Sequence, residues 1–249
     1  MNTECLLNIK IVLVRTFHPG NIGSAARAMK TMGLSELVLV QPLDYPSEQA
    51  ETMAAGAVDT LTNAKVVGSV LEAVGDCTVV AACSARAREY ELPPLAPGDC
   101  ARRLVAAASR GPVALMFGPE RHGLSNEDLQ HATHRVLIDA NSEYSSLNLA
   151  AAVQILSHEL RQAARSEVAV AAECAAVKEL PTAESLDHYF ERLNQVFGAT
   201  GFVNKAHPGE LQKRLRHLYA RAEIDQQELN ILQGMLGSVD RILRDKQRE

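Results

Sequence analysis

The 249 residues are enough for one large domain, or for a medium domain followed by a small one. Apolar residues make up 47%, which excludes general disorder, and the net charge of −5 disfavours an RNA-binding protein unless a local basic surface exists. The odd number of cysteines without a C-x-x-C pair, and the lack of a signal peptide or long apolar run, predict a cytoplasmic protein without disulfides, zinc or a membrane segment.

Short runs rich in Val, Ile and Leu alternate with helical stretches over residues 1–164. The predicted strands cover 9–14, 36–40, 76–83, 112–117 and 135–138, and the predicted helices cover 21–32, a short stretch around Val70, 97–109 and 147–161. This alternation is typical of an α/β domain whose mostly parallel sheet carries helices on both faces.

The pattern changes after residue 164. Residues 165–181 are rich in Ala and Glu and are interpreted as a linker. Amphipathic helices are predicted over 184–197, 209–221 and 226–244 without any strand. We therefore expect a catalytic domain over 1–164 and a small all-α domain over 182–249.

Ligands of parallel sheets bind beyond the carboxyl ends of the strands, so the loops after residues 14, 83, 117 and 138 are the candidate site. Each of these loops is rich in small, polar or charged residues. The sequence has no G-x-G-x-x-G, no P-loop and no G-x-S-x-G, which disfavours dinucleotide binding, NTP hydrolysis and serine hydrolysis. The histidines lack ligand spacing, so no metal is expected.

The first of these loops contains Asn21, Gly23 and Arg27 in the pattern N-x-G-x-x-x-R. Asn21 is predicted to cap the first helix, and Gly23 to keep its first turn unobstructed. Arg27 lies on the same flank as Gly23 and could favour an anion near the helix start. A capped helix with a solvated arginine explains the same pattern equally well.

Three segments together resemble the motifs of the SPOUT methyltransferases, in the TrmH-like 2'-O-ribose branch. Motif one corresponds to residues 21–27, motif two to 117–124 (FGPERHGL) and motif three to 138–149 (IDANSEYSSLNL). The stretches 199–202, 207–209 and 227–232 are similar to the C-terminal region of the TrmJ-type tRNA (cytidine/uridine-2'-O-)-methyltransferases. The resemblance covers nearly the whole chain.

The resemblance implies a C-terminal trefoil knot in the catalytic domain, a homodimer with sites completed by the partner subunit, and S-adenosylmethionine as cofactor. The implied substrate is the ribose at position 32 of the tRNA anticodon loop. The implied catalytic residues are Arg27, Asn21, Ser146 and Asn148. The implied cofactor-binding residues are Cys83, Ser84, Ala85, Gly118, Glu120, Gly123, Ile138, Ser145, Ser146 and Leu147. Two positions depart from the family pattern, since Cys83 stands for a usual Thr and Pro119 for a usual Arg.

Basic residues at two places are candidates for RNA contact. Arg86 and Arg88 follow the third predicted strand, and Lys213, Arg214 and Arg216 cluster on one predicted helix that would dock tRNA. A solvated loop and a solvated helix face are the competing interpretations. Glu120 could equally hold its own loop through backbone N–H groups.

Three other functions remain open at this point: a same-fold enzyme acting on rRNA or another tRNA position, a binding protein that has lost catalysis, and a small-molecule enzyme with a nucleotide cofactor.

Overall fold

Seven strands form one sheet in the computed structural model, which describes residues 3–84, 92, 94–166, 178–202 and 209–246. They are β1 (Ile9–Val14), β2 (Leu37–Val40), β3 (Lys65–Val67), β4 (Val79–Cys83), β5 (Pro94–Leu95), β6 (Val113–Phe117) and β7 (His134–Val136). The order is β3-β2-β1-β6-β4-β7-β5, and every pairing between them is parallel. The predicted parallel α/β sheet is confirmed.

Ten α-helices occur in the described ranges: α1 (Pro19–Met32), α2 (Glu48–Ala54), α3 (Val58–Thr62), α4 (Val70–Val74), α5 (Pro97–Ala108), α6 (Asn126–Leu129), α7 (Leu149–Arg165), α8 (Ala183–Thr200), α9 (Glu210–Ala222) and α10 (Gln226–Lys246). Short 3-10 turns cover Glu4–Asn8 and Ala55–Ala57. None of the helices in these ranges combines the length and apolar character needed to cross a bilayer.

Alternation along β1 explains why helices cover both faces of the sheet. Ile11 and Leu13 are buried in a cluster formed with α1, α5 and α7, whereas Val12 and Val14 are buried in a second cluster with α4. With no solvent-facing side, β1 is a continuous apolar run, as expected of a central parallel strand.

The start of α1 differs from the prediction. The helix begins at Pro19, because proline fits the first helical position, and its N-cap residue is His18. Asn21 therefore lies inside the first turn, and the prediction that it caps the helix is wrong. The predicted end at Gly33 is confirmed, with the left-handed φ of 83° that favours glycine.

Gly23 serves a packing role that differs from the one predicted. A Cβ at this position would overlap the carbonyl oxygen of Ala50 and lie 2.9 Å from the backbone N of Ala54. The glycine allows α1 to pack directly against α2, rather than keeping the helix start open for a ligand.

The C-terminal helices have a core of their own. Tyr189, Phe190, Leu193, Val196 and Leu229 are buried together between α8, α9 and α10. The N-terminus of α8 is bonded to the α4–β4 turn, since the backbone N–H of Ala183 donates to the Cys77 carbonyl at 2.9 Å. The predicted all-α region is confirmed, while residues 167–177 of the predicted linker lie outside the described residues.

Candidate active site

The carboxyl ends of four strands meet at one edge of the sheet. Leu13 of β1 pairs with Phe117 of β6, and Cys83 of β4 pairs with both Phe117 and Val136 of β7. The loops that follow these strands are the ones that the sequence singled out. Their convergence at one edge follows from the parallel register.

Hydrogen bonds from Asn21 to Glu120 and from Asn148 to Asn21 connect three of the segments that follow these strands. We call these three residues the polar bridge. Asn21 Nδ2 donates to Glu120 Oε1 at 2.7 Å, and Asn148 Nδ2 donates to Asn21 Oδ1 at 3.0 Å. Asn148 Oδ1 also accepts the backbone N–H of Ala150 at 2.9 Å, so it caps α7. The bridge joins segments that lie up to 127 residues apart in the chain.

Glu120 also holds the backbone that follows β1. Its carboxylate accepts the N–H groups of Phe17 and His18 at 2.9 and 3.1 Å. Burial alone would raise the pKa of Glu120, but the hydrogen bonds from Asn21 and these backbone groups hold it below its ordinary value. The carboxylate thus stays charged and fixes the loop after β1. The structural role that the sequence left open was the holding of Glu120's own loop, which follows β6.

The loop after β6 folds tightly onto itself at Gly118. A Cβ on Gly118 would overlap backbone atoms of Gly123 and Leu124, so only glycine fits there. Gly123 has a left-handed φ of 65°, and its N–H donates to the Pro119 carbonyl at 2.8 Å. The two glycines of motif two therefore shape one closed turn.

An ion pair that sequence reasoning missed links β1 to α6. The guanidinium of Arg15 contacts the carboxylate of Asp128, which is buried and also forms a capping box with Ser125. Arg15 has a φ of 47°, a conformation that non-glycine residues rarely adopt. A charged residue directly after an apolar strand was the available signal.

Residues of the loop after β7 line the same edge. Ile138 is partly buried against the core, Leu147 is 39% exposed, and Ser145 and Ser146 are exposed. On the neighbouring strand, burial raises the pKa of Cys83 to about 12, so its thiol is neutral.

The residues after Cys83 are only partly described. The N–H of Ser84 donates to the Val136 carbonyl at 3.2 Å, and its own carbonyl accepts from Arg135 Nε at 3.1 Å. Both backbone groups of Ser84 are thus already engaged with β7. Ala85, Arg86 and Arg88 lie outside the described residues.

Arg27 is exposed on α1 and forms no hydrogen bond or ion pair with any residue in the described ranges. Arg27 lies six positions after Asn21, so the two residues are about 120° apart around the axis of α1. Arg27 is instead on the side of α1 that carries Gly23, the side that faces α2. The structure therefore does not bring Arg27 to the polar bridge within one chain.

The comparison with known proteins agrees with this geometry. Residues 8–158 match the SpoU rRNA Methylase family, and residues 184–248 match the C-terminal domain of the tRNA methyltransferase TrmJ. A protein of Sodalis glossinidius named tRNA (cytidine/uridine-2'-O-)-methyltransferase TrmJ is 49% identical, covering 94% of this chain and 92% of its own length. The chain belongs to the SpoU methylase family, in its TrmJ branch.

Two solved structures share the fold. TrmJ from Z. mobilis ZM4 superposes with a TM-score of 0.82 at 31% identity, covering 93% of this chain and 98% of that one. A probable methylase from Haemophilus influenzae Rd KW20 is 43% identical with a TM-score of 0.62, covering 97% and 99%. The resemblance to the TrmJ-type enzymes is confirmed over both parts of the chain.

The three basic residues that were predicted to dock tRNA, all on α9, do not share one environment. Lys213 and Arg214 are exposed on α9. Arg216 instead packs inward, with an ion pair to Asp187 at 2.6 Å and its guanidinium 4.4 Å from the centre of the Phe190 ring. The charge of Arg216 is thus already paired with a buried carboxylate, and contact between Arg216 and RNA stays a prediction.

A group of three or more His, Cys, Asp or Glu side chains able to hold a metal ion was not found among the residues that the structure describes.

Proposed function

We propose that this chain transfers a methyl group from S-adenosylmethionine to the ribose 2'-oxygen of a cytidine or uridine in tRNA. The polar bridge carries the proposal, because it joins the three motif segments into one site. Relatives from Sodalis glossinidius and Yersinia enterocolitica, 49% and 48% identical, are named for this activity. Both matches cover more than nine-tenths of each chain.

The strand-end loops fit the proposed cofactor chemically. Ile138 and Leu147 offer apolar walls for an adenine ring, and the exposed turn at Gly123 leaves room for close approach. The neutral thiol of Cys83 suits a sulfonium neighbour, because a thiolate there would compete for the methyl group. The proposed cradle is completed by Ser84, Ala85, Gly118, Glu120, Ser145 and Ser146.

When bound, the cofactor supplies a methyl group on a good leaving group, so the protein mainly has to align the ribose oxygen. The guanidinium of Arg27 is proposed to bind a phosphate and stabilise developing negative charge on the 2'-oxygen. Asn148 and Ser146 are proposed to orient the ribose, with Asn21 holding Asn148 in place.

We propose a homodimer in which Arg27 completes the site of the partner subunit. The exposed position of Arg27, about 120° around α1 from Asn21, supports this arrangement. Mixing the inactive variants Arg27→Ala and Asn148→Ala tests it. One intact site per mixed dimer would restore roughly a quarter of normal activity. Absence of any recovery would contradict a composite site.

The trefoil knot and the domain division over 1–164 and 182–249 also remain proposals. Membership in the SpoU family supports the knot. The separate matches over 8–158 and 184–248 support the division. A crystal structure that traces the backbone from β6 through α7 tests the knot directly.

Mapping of 2'-O-methylated nucleotides after incubation with tRNA or rRNA tests the function. We expect methylation of tRNA at position 32 of the anticodon loop. A more distant structure, 28% identical with a TM-score of 0.50, is described for 2-OH methylation of C/U34 on tRNA. Methylation at position 34 would keep the enzyme class and correct the site, whereas methylation of rRNA alone would overturn the tRNA proposal.

A further inference from the structure

An aromatic ring and a guanidinium are stacked at the rim of the site. The Cζ atom of Arg121 lies 4.3 Å from the centre of the Phe17 ring, and the His18 ring meets the same ring edge-on at 4.9 Å. Phe17 follows β1 and Arg121 follows β6, so the pair spans two of the loops that the polar bridge joins. We call Phe17 and Arg121 the stacked pair.

The stacked pair is accessible, and the backbone that carries Phe17 is anchored by hydrogen bonds. Phe17 is 36% exposed and Arg121 is exposed. The backbone N–H groups of Phe17 and His18 both donate to the carboxylate of Glu120, the residue directly before Arg121. An exposed aromatic side chain with a fixed backbone loses little conformational entropy when a ligand binds.

The chemistry of the pair matches an unpaired nucleobase. Proteins that recognise single-stranded RNA stack splayed bases on aromatic rings and on guanidinium planes. The guanidinium adds positive charge beside the phosphates that flank such a base. The unpaired nucleotides of an RNA loop can present bases for such stacking.

We propose that Phe17 and Arg121 form a stacking platform for an unpaired base next to the nucleotide that is methylated. This inference rests on the proposed function, because it places an RNA loop at this edge. The platform positions the substrate and takes no part in the chemical step. It therefore contributes to the binding of RNA and not to the binding of the cofactor.

Binding of an anticodon stem-loop RNA, with 2-aminopurine placed next to the target nucleotide, tests the platform in the full-length protein. For Phe17→Ala we expect the Kd to rise about 5- to 100-fold, the usual effect of losing one aromatic–base stack. The 2-aminopurine quenching should also be lost. Phe17→Trp should restore both, whereas Phe17→Leu should not, since it is apolar without a ring face.

Controls separate this proposal from a merely structural effect. Leu7→Ala is the matched variant, because Leu7 is 57% exposed but precedes β1 at the opposite edge of the sheet. It should leave RNA affinity unchanged. Binding of S-adenosylhomocysteine should be equal in the wild type and both alanine variants.

Two outcomes would overturn the platform. One is unchanged RNA affinity and quenching in Phe17→Ala, even if the wild type methylates tRNA. The other is loss of the dimer in sedimentation with Phe17→Ala, which would assign the pair to a subunit contact. A wild type that binds the loop RNA through Phe17 but methylates no tRNA would instead refute the proposed function alone.

Discussion

Single atoms decide the geometry where β6 ends, because Gly118 has no room for a Cβ beside Gly123 and Leu124. The same is true of Glu120, whose two carboxylate oxygens accept three hydrogen bonds from the segment after β1. Gly118 is required for its lack of a side chain, and Glu120 for its two charged acceptor oxygens. At the scale of residues, the site therefore depends on a turn and a carboxylate.

Replacing Gly118 by alanine should destabilise the protein by about 1–3 kcal/mol, as expected when a methyl group is forced against backbone. Urea unfolding measures the change. Gly111→Ala is the control, because a Cβ on Gly111 meets nothing within 4 Å. Equal stability of the two variants would show that the turn has another shape.

Arg27→Ala should lower methyl transfer at least about 100-fold while leaving S-adenosylhomocysteine affinity nearly unchanged, as for other groups that stabilise developing charge. Single-turnover kinetics and calorimetry measure the two effects. Lys30→Ala, one turn further along α1 and paired with Asp59, is the control and should stay active. Unchanged turnover of Arg27→Ala would remove this residue from the mechanism.

At the scale of elements, the polar bridge fastens the N-terminus of α7 to α1 and to the loop after β6. Asn148 does this with both ends of one amide, since its oxygen caps α7 and its nitrogen bonds to Asn21. Arg15 and Asp128 connect β1 to α6 in a similar way. Loops that would otherwise move independently are thus held to regular elements.

Glu120→Gln should loosen this arrangement, because a neutral amide accepts hydrogen bonds more weakly than a carboxylate. We expect faster hydrogen exchange at the amides of Phe17 and His18 and a stability loss on the order of 1 kcal/mol. Glu127→Gln, exposed on α6, is the control.

The stabilisation that the Glu120 carboxylate provides should depend on pH. Because its pKa is lowered in the folded protein, this stabilisation is present above the ordinary pKa of 4.5 and is lost as pH falls through the folded value. Exchange rates in Glu120→Gln equal to those of the wild type would contradict the bridge.

At the scale of the whole molecule, the C-terminal helices pack against the segment that leads into β7. A cleft lies between the two parts and is lined by apolar residues together with charged and histidine side chains. Glu223 approaches Arg103 at 2.5 Å and His134 at 3.6 Å, while Asp187 lies 3.9 Å from His131. The contacts of Glu223 join the C-terminal helices to α5 and to β7 of the sheet.

The contact between the two parts should weaken in acid. Burial and the nearby Arg103 lower the pKa of His134 to about 4, despite Glu223. Between pH 6.5 and 4 this histidine binds a proton more readily in the unfolded protein than in the folded one. The free energy of unfolding is therefore highest above pH 6.5 and falls as the pH drops towards 4. Thermal unfolding at pH 5 and 7.5 measures it.

The matching variant is His134→Gln, which should reduce the difference in melting temperature between the two pH values. The neighbouring His131 should keep part of the effect, because burial lowers its pKa as well. An identical pH dependence in the variant and the wild type would remove His134 from this explanation.

Deleting residues 170–249 should weaken tRNA binding more than 10-fold and change cofactor affinity little, because Lys213 and Arg214 lie on α9. The double variant Lys213→Glu/Arg214→Glu in the full chain tests the two charges separately from the rest of the helices. Its tRNA affinity should depend less on salt concentration than that of the wild type. Undiminished tRNA binding by the shortened chain would contradict a docking role for the helices.

Periodicity and composition were enough to predict the central strands, the helices that cover them and the all-α region. These signals are local, since a strand buried on both faces is apolar throughout. The edge strands β3 and β5 were missed because they have only three and two residues and lack such a run. The start of α1 was placed too late because the Pro19 signal was not used.

The sequence by itself also determined which loops lie together at one edge of the sheet, because parallel strands bring their carboxyl ends together. Only the tertiary structure decided which residues these side chains contact. Glu120 binds the backbone of Phe17, Arg216 turns inward to Asp187, and Arg27 stands apart from Asn21. Such contacts join residues far apart in the chain, so their energies depend on how the elements pack and not on any local pattern.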